Sequence, residues 1–330
     1  MTARILRIFA FASLAALLGA QSQNSINGPV AGYLFDQAAQ TLRPILGVPG
    51  AALLGDPIRL GLKLAAAYVS PGTDSAIAIA LDNSPHFFTI SGGVFQEVPV
   101  NGLASGSSYL VAFSPSGKAL ALYSGNSVQV ITGLPSAPAV GGSVNLASLG
   151  VPGSLALSDD GTVLLVSVAN SVHLFGSYAD LGKLMDTGAS PAIGFGPGGH
   201  DAAVSDTNAG VVLFHNLTGS GTSQIIAPPG QNIAPSSALA FSANANTIYV
   251  ASSSTQTITS LDLTSGFIER LPCGCSPTAL ARMGNVFRLT ELTKDPVWLL
   301  DSPEGDARIV FVPALNQPGR SRVVNSRDTF

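Results

Sequence analysis

A short sequence pattern recurs along this chain at nearly constant spacing. In its clearest copy an apolar run ends at Phe113, the turn residues Ser-Pro-Ser-Gly follow at 114–117, and a second apolar run covers 119–123. We call the last residue before each such turn the pivot residue. The pivot residues lie 38 to 46 residues apart and are Val69, Phe113, Leu157, Phe195, Phe241 and Arg282. A period of about 40–45 residues with several short strands per repeat is typical of β-propeller blades.

Each repeat predicts four antiparallel strands. In the copy with pivot Phe241 they cover residues 238–241, 247–251, 257–263 and 267–271. In four copies an asparagine falls at the end of the second predicted strand: Asn83, Asn126, Asn170 and Asn208. Asparagine tolerates a left-handed backbone, so these residues predict the turn between the second and third strands. We expect them to shape turns rather than to bind a ligand.

The number of repeats predicts the number of blades. The six repeats span residues 63–313, and the preceding residues 21–62 amount to one further blade length. The sequence therefore predicts an all-β protein, a seven-bladed β-propeller of four-stranded antiparallel blades. Residues 21–313 would form this single domain, with a sparse first blade. Six blades with an N-terminal extension is the alternative, and neither arrangement leaves room for a helix longer than about three turns.

Closure of the ring requires contact between the two ends of the repeat region. A propeller needs contact between its first and last blades, because an open ring exposes apolar blade faces and sheet edges. We expect the strands within 32–46 to pack against the blade that contains residues 282–312. Strand pairing between the two and side-chain packing alone are the two alternatives for this contact. Four apolar pivot residues are expected at equivalent, buried positions: Phe113, Leu157, Phe195 and Phe241.

The composition places few charges on a chain of 330 residues. Hydrophobic residues make up 46% of it and charged residues only 10%, against about 25% charged residues in an ordinary soluble domain. The formal net charge is −4, and no block of Lys and Arg is present in the sequence. Binding to nucleic-acid phosphates needs such clusters, so we expect no nucleic-acid partner. We expect the protein to be a monomer.

Residues 1–20 have the pattern of a secretory signal peptide. Arg4 and Arg7 supply positive charge, residues 8–18 are apolar but short for a membrane span, and small residues end the segment at Ala20. We expect cleavage after Ala20 and export to the periplasm, the cell surface or the medium, with a retained N-terminal anchor helix as the alternative. No later apolar run is long enough to span a membrane, and residues 314–330 form a polar tail.

Two of the recurring phrases resemble repeats of known propellers. The phrase Phe-Ser-Pro-Ser-Gly-Lys at 113–118 resembles the WD40-like repeats of bacterial TolB-type propellers. The phrase Thr-Ile-Tyr-Val-Ala-Ser at 247–252, with its continuation at 257–266, resembles the YVTN-type repeat of secreted and cell-surface propellers. The resemblance covers most of residues 63–313 and implies a propeller in a surface or periplasmic setting. It implies no particular activity, because propellers include binding proteins and enzymes.

The two cysteines, Cys273 and Cys275, are separated by one glycine. Thiols of an exported protein tend to oxidise, so a local disulfide or a pair of structural thiols is the main interpretation. A redox or metal function is the alternative, although the neighbouring sequence holds no histidine that could complete a metal site.

The sequence shows no constellation for catalysis, cofactor binding or metal binding. Its histidines fall in different repeats and at different distances from their pivot residues: His86, His173, His200 and His215. The acidic run at 301–306 lacks the spacing of a calcium loop, and we interpret it as a solvated hairpin tip. No Gly-x-Ser-x-Gly motif lies between a strand and a helix.

The sequence therefore favours a non-enzymatic, exported binding or scaffold module whose partner is a protein or a glycan at one propeller face. A propeller hydrolase of the lactonase-like type is the alternative. The centre of the ring, the hub, discriminates between them. Three or more His, Glu, Asp or Arg side chains converging at one end would favour an enzyme, whereas a lining of Ala, Gly, Ser and backbone would favour a binding protein.

Overall fold

The computed structural model describes residues 28–230, 233, 235–303 and 307–315. In these residues the chain forms 27 strands and no helix, so none that could cross a membrane. The strands form seven antiparallel sheets, each built from strands that are consecutive in sequence. These sheets are the blades of a seven-bladed β-propeller, which confirms the predicted fold over the alternative of six blades with an extension.

Within each blade the strands run in sequence order from the hub to the rim. Blades 1 and 2 are β1 (Val30–Asp36), β2 (Thr41–Val48), β3 (Ala51–Leu54), and β4 (Leu64–Val69), β5 (Ser75–Ala80), β6 (Pro85–Ser91), β7 (Val94–Val98). Blades 3 and 4 are β8 (Tyr109–Phe113), β9 (Leu120–Ser124), β10 (Ser127–Thr132), β11 (Ala139–Asn145), and β12 (Pro152–Leu157), β13 (Val163–Val168), β14 (Ser171–Gly176), β15 (Ala179–Asp186).

The remaining blades follow the same order. Blades 5 and 6 are β16 (Ala192–Phe195), β17 (Ala202–Asp206), β18 (Gly210–His215), β19 (Thr222–Ala227), and β20 (Ala238–Phe241), β21 (Thr247–Ser252), β22 (Thr257–Asp262), β23 (Ile268–Pro272). Blade 7 is β24 (Ala281–Met283), β25 (Val286–Arg288), β26 (Val297–Asp301) and β27 (Arg308–Val312).

Blade 1 is the sparse blade that the sequence predicts. Its described residues form three strands, whereas each later blade has four. After β3 the chain continues beside β2 in the direction of β3, and the backbone N–H groups of Gly55 and Ile58 donate to the carbonyl oxygens of Pro44 and Leu42. These bonds keep residues 55–58 beside β2, so they do not form a fourth strand outside β3.

A buried serine explains why the turn pattern recurs. The serines that follow four of the pivot residues are all buried: Ser70, Ser114, Ser158 and Ser242. Each donates its backbone N–H to a carbonyl oxygen across the turn, and its Oγ accepts the N–H of the residue five positions later. The buried polar groups of the turn therefore form hydrogen bonds within the turn. This allows the turn to be buried between the apolar first and second strands of the blade.

Three of the four apolar pivot residues are buried, as predicted. Leu157, Phe195 and Phe241 are 1%, 4% and 6% exposed, but Phe113 is only partly buried, so the prediction is wrong for Phe113. In blade 7 the first strand ends at Met283, one residue after the predicted pivot residue Arg282, which is only partly buried. The turn there is shortened, with Met283 paired to Val286, and Met283 takes the buried position.

The predicted asparagine turns lie between second and third strands, at Asn83, Asn126, Asn170 and Asn208. Asn83 has the expected left-handed backbone, with a φ of 66°. In the next two turns the preceding residue takes that conformation instead, Gly125 with a φ of 64° and Ala169 with a φ of 49°. The pattern therefore predicted the position of these turns, but not in every case the residue that adopts the strained conformation.

Blade 1 closes the ring against blade 7, as predicted. Leu34, Ile45 and Ala52 form one buried cluster with five residues of blade 7: Met283, Val286, Val297, Leu299 and Val312. Gly32 permits the close approach, since a Cβ atom there would lie 2.7 Å from the Sδ atom of Met283. The strands of the two blades stay in separate sheets, so side-chain packing and not strand pairing closes the ring.

Several predictions concern residues near the two ends of the chain that the structure does not describe. The signal peptide at 1–20, the cleavage site after Ala20 and residues 316–330 of the polar tail lie outside the described residues. These assignments stay predictions, as does the start of the domain at residue 21.

Candidate functional site

The inner strands of the seven blades enclose a channel at the centre of the ring. Its volume is about 300 Å³, at the small end of the range for ligand pockets. All seven blades contribute to its lining, through the inner strands β1, β4, β8, β12, β16, β20 and β24. We call this space the hub channel. Its turn end is the end at which the turns between first and second strands lie.

Blades 3 to 6 give the hub channel an apolar wall. Each contributes a small residue one position before its pivot residue, with a larger apolar residue on either side of it. The small residues are Ala112, Ala156, Gly194 and Ala240. At Gly194 the neighbouring blade fills the space, because an added Cβ atom would lie 3.0 Å from the side chain of Leu239. The apolar side chains of this wall can bury an apolar group but offer no hydrogen bonds. Blade 3 also contributes Ser114, whose hydroxyl is buried and accepts the N–H of Ala119 within its own turn.

Blades 7 and 2 give the hub channel a charged wall. Arg282, Arg288 and Glu291 line it from blade 7, and Tyr68 lines it from blade 2. Arg288 and Glu291 form an ion pair with each other. Burial raises the pKa of Tyr68, the Glu291 carboxylate raises it further, and Arg288 opposes that effect. The Tyr68 hydroxyl therefore stays protonated at neutral pH and retains a proton to donate inside the channel.

Arg282 is held at the turn end of the hub channel. Its Nε donates to the carbonyl oxygen of Gly284 at 2.9 Å, and its Nη1 reaches the carbonyl oxygen of Pro115 at 3.5 Å. Burial lowers the pKa of Arg282 from its ordinary value, whereas the Asp159 carboxylate raises it. No described carboxylate lies close enough to form an ion pair with this guanidinium. Arg282 stays charged, because arginine does not deprotonate in proteins.

Hydrogen bonds between blades hold the turn end together. The two carboxylate oxygens of Asp159 in blade 4 accept the N–H groups of Ser116 in blade 3, at 2.6 Å, and Gly198 in blade 5, at 2.8 Å. The N–H of Gly284 in blade 7 donates to the carbonyl oxygen of Pro71 in blade 2 at 2.7 Å. The turns of blades 3, 4 and 5 are thereby tied together, as are those of blades 2 and 7, and Arg282 lies between the two groups through its contact with Pro115.

The lining matches neither of the two patterns expected from the sequence. Charged side chains are present but do not converge, since Arg288 and Glu291 pair with each other and Arg282 bonds backbone carbonyls. The opposite wall carries large apolar side chains as well as Ala and Gly. No histidine is among the described lining residues. Nor do the described residues include a group of three His, Cys, Asp or Glu side chains that could hold a metal ion.

The polar residues of the hub channel were not identified from the sequence. These residues are Tyr33, Tyr68, Ser114, Arg282, Arg288 and Glu291. One signal was present, because the other five pivot positions are apolar and the sixth is an arginine. A charge at the end of an apolar inner strand indicates a residue that faces the hub rather than the interior of a blade.

The histidines are dispersed, as predicted. Three of them each contact one carboxylate, in the pairs His86–Glu97, His200–Asp160 and His215–Asp201. The fourth, His173, lies 3.1 Å from the hydroxyl of Ser171. These local contacts give each ring a structural role, and none of the four lines the hub channel.

Asp160 joins blades 4 and 5. Its Oδ2 lies 2.9 Å from the Nε2 of His200, and both Ser158 and Thr162 donate hydrogen bonds to its carboxylate. Partial burial alone would raise the pKa of Asp160, but the hydrogen bonds outweigh it and hold the pKa well below its ordinary range. The charged form of Asp160 therefore stabilises the folded protein.

Acidification should weaken the fold through Asp160. Because its folded pKa lies below the unfolded value of about 3.9, its contribution is complete above about pH 5 and is lost as the pH falls. We expect the melting temperature of the wild type to fall more steeply from about pH 5 to about pH 3 than that of Asp160→Asn. The exposed Asp56→Asn serves as the control and should follow the wild type. An equal slope for Asp160→Asn would contradict this assignment.

Cys273 and Cys275 lie in the loop between blades 6 and 7, where both are buried and their sulfur atoms are bonded to each other. Their Cα atoms are 4.9 Å apart. Gly274 lets this loop lie against Trp298, since an added Cβ atom would be 3.1 Å from the indole ring. The pair belongs to the buried cluster between blades 6 and 7 and does not line the hub channel. That the protein carries the pair as a disulfide in its own compartment stays a prediction.

The interpretation of the acidic run at 301–306 as a solvated hairpin tip is wrong for its first residue, Asp301. Asp301 is a buried residue of β26, and it accepts a hydrogen bond from the Nε of Arg308 at 2.8 Å. The strand pairing aligns these two residues across β26 and β27. Residues 304–306 lie outside the described residues.

Known proteins are similar to this chain in fold only. No protein-family model matches the sequence, and no curated protein matches it either. Among solved structures, a functionally unknown protein from Desulfotomaculum acetoxidans DSM 771 is similar with a TM-score of 0.59 and 13% identity, over 86% of this chain and 99% of that one. Kuenenia stuttgartiensis hydrazine synthase is similar with a TM-score of 0.53 and 13% identity, over 89% and 98%. Such likeness shows the fold alone, and by its own strand order the chain is a seven-bladed β-propeller.

Proposed function

We propose that this chain is a non-enzymatic binding module whose hub channel receives an apolar group of a protein partner. The apolar wall formed by blades 3 to 6 carries the proposal. Burying an apolar group there would contribute roughly 25 cal/mol for each Å² removed from water. A glycan fits less well, because its hydroxyl groups lose hydrogen bonds to water that an apolar wall cannot replace. A protein is therefore the better matched of the two partner classes.

A lactonase-like hydrolase has less support from the same geometry. Hydrolysis needs several polar side chains aimed at one reacting atom. In the described part of the hub channel, Glu291 is occupied by Arg288, and Arg282 is held by the backbone of two turns. This arrangement provides charge for orienting a ligand, but it does not bring a nucleophile and a base together.

Export and a monomeric state are further parts of the proposal. The signal-peptide pattern at 1–20 supports export, and so does the resemblance of the repeats to TolB-type and YVTN-type propellers. The bonded pair Cys273 and Cys275 is consistent with an oxidising compartment, where disulfides persist. A closed ring buries the blade faces that would otherwise mediate association, which favours the monomer.

Binding of an uncharged apolar dye tests the proposed site. We expect N-phenyl-1-naphthylamine to bind saturably with one site per chain, and its fluorescence to rise as it leaves water. Ala240→Phe should abolish this binding, because the added ring occupies the hub channel. Ala139→Phe, a matched change at an exposed position of β11, should leave it unchanged. Melting curves establish that both variants are folded. Unsaturable binding, or equal binding by the two variants, would overturn the proposed site.

A further inference from the structure

The charged wall of the hub channel carries one positive charge in excess. Its charged lining residues are Arg282, Arg288 and Glu291, and the ion pair cancels the charges of the last two. The charge on Arg282 thus remains. A partly buried guanidinium in an apolar channel is costly to leave without an anionic partner, because burial removes it from water.

The surroundings of Arg282 leave hydrogen-bond donors free. A guanidinium has five N–H donors, and in the described structure those on Nε and Nη1 point at two carbonyl oxygens while Nη2 has no partner. Asp159 is the nearby carboxylate that influences the pKa of Arg282, but both its oxygens already accept backbone N–H groups. Arg282 therefore has the capacity to accept an external anion.

We infer that the hub channel binds an apolar group that ends in a carboxylate, with the carboxylate on Arg282 and the apolar part against the apolar wall. This inference rests on the proposed function and names the chemistry of its ligand. In a protein partner, such a group is the C-terminal residue when its side chain is apolar. A free alkyl carboxylic acid has the same chemistry.

A carboxylate matches this site better than other anions do. The planar fork of a guanidinium fits the two oxygens of a carboxylate. A single carboxylate also balances the single excess charge of the wall, whereas a phosphate dianion would leave negative charge buried near Glu291. The volume of about 300 Å³ suits one side chain and its terminal carboxylate rather than a large ligand.

Acids and their amides, which differ in charge but hardly in shape, test the inference. Two pairs are used, octanoate with octanamide, and N-acetylphenylalanine with N-acetylphenylalanine amide. Their affinities are measured by displacement of N-phenyl-1-naphthylamine at neutral pH. For the wild type we expect the acid of at least one pair to bind about tenfold tighter than its amide, the size of effect typical of a hydrogen-bonded charge pair.

Variants locate the preference for the acid. Arg282→Met should still bind the dye saturably but lose the difference between acid and amide, and Arg282→Lys should retain part of that difference. Lys118→Met removes a positive charge from an exposed position in the turn of blade 3 and should keep the full preference. Loss of preference in Lys118→Met equal to that in Arg282→Met would overturn the assignment to Arg282.

The outcomes separate this inference from the proposed function. Saturable dye binding with equal affinities for acid and amide in the wild type would overturn the inference and leave the binding module intact. Failure of the dye to bind would overturn the proposed function itself. A preference in the N-acetylphenylalanine pair supports a C-terminal residue as the ligand. A preference in the octanoate pair alone supports a free alkyl acid and contradicts a protein partner.

Discussion

Replacing Phe195 with alanine should lower the free energy of unfolding by about 3–5 kcal/mol. Phe195 ends β16, is 4% exposed and belongs to the buried cluster between blades 4 and 5. The truncation removes a whole ring from that cluster, and the strands around it are held by their own hydrogen-bond ladders. A cavity therefore remains, and its cost adds to the lost burial of the ring. Urea denaturation of the two proteins measures the difference.

Phe267→Ala provides the matched control for this experiment. Phe267 is 64% exposed in the turn between β22 and β23, so the same truncation there removes little buried surface. We expect its effect to stay within about 0.5 kcal/mol, as for most surface substitutions. Equal midpoints of unfolding for the two variants would show that Phe195 does not lie in the core.

Deleting residues 21–54 should prevent the protein from forming a soluble monomer. The deletion removes blade 1 and with it the partners of two blade faces. Met283 and Val297 of blade 7 would lose the cluster that they share with Leu34, and Ala76 and Ile90 of blade 2 would lose their contacts with the other face of blade 1. Contiguous apolar surface of this kind drives association in water. Size-exclusion chromatography after refolding measures the outcome.

The control for the deletion is a chain that lacks residues 21–27 alone, which precede the described residues of blade 1. We expect this chain to elute as a monomer with the melting temperature of the parent. A soluble, monomeric protein without residues 21–54, and with unchanged stability, would show that six blades suffice for the ring.

The architecture of the blades followed from the sequence because it depends on local patterns. In blade 6 the predicted strands 238–241, 247–251, 257–263 and 267–271 agree with the observed ones to within one residue at each end. Each boundary coincides with turn-forming residues, and the strands between them are apolar. Neighbouring strands in a blade are also neighbours in sequence, so a repeat contains the information for its own pairing.

The hub channel could not be derived in the same way, because its contacts join residues from different repeats. The guanidinium of Arg282 reaches the carbonyl oxygen of Pro115 from 167 residues away in the chain. The shortened turn of blade 7 places Met283 in the core and Arg282 at the hub, whereas the repeat pattern ended that strand at Arg282. A pattern read from the other five copies could not include a change of turn length in the sixth.

Closure of the ring by side-chain packing has a consequence for the order of folding. Every blade is built from local pairings, which form early because the entropic cost of closing short loops is small. The cluster around Leu34 and Met283 instead joins the two ends of the described chain, so its contact order is high and it forms late. Until blade 7 is synthesised, one face of blade 1 has nothing to pack against. The face of blade 1 that packs against blade 7 is therefore buried only after the chain has been synthesised through Val312. In shorter nascent chains that face stays exposed, and they remain substrates for chaperones or proteases.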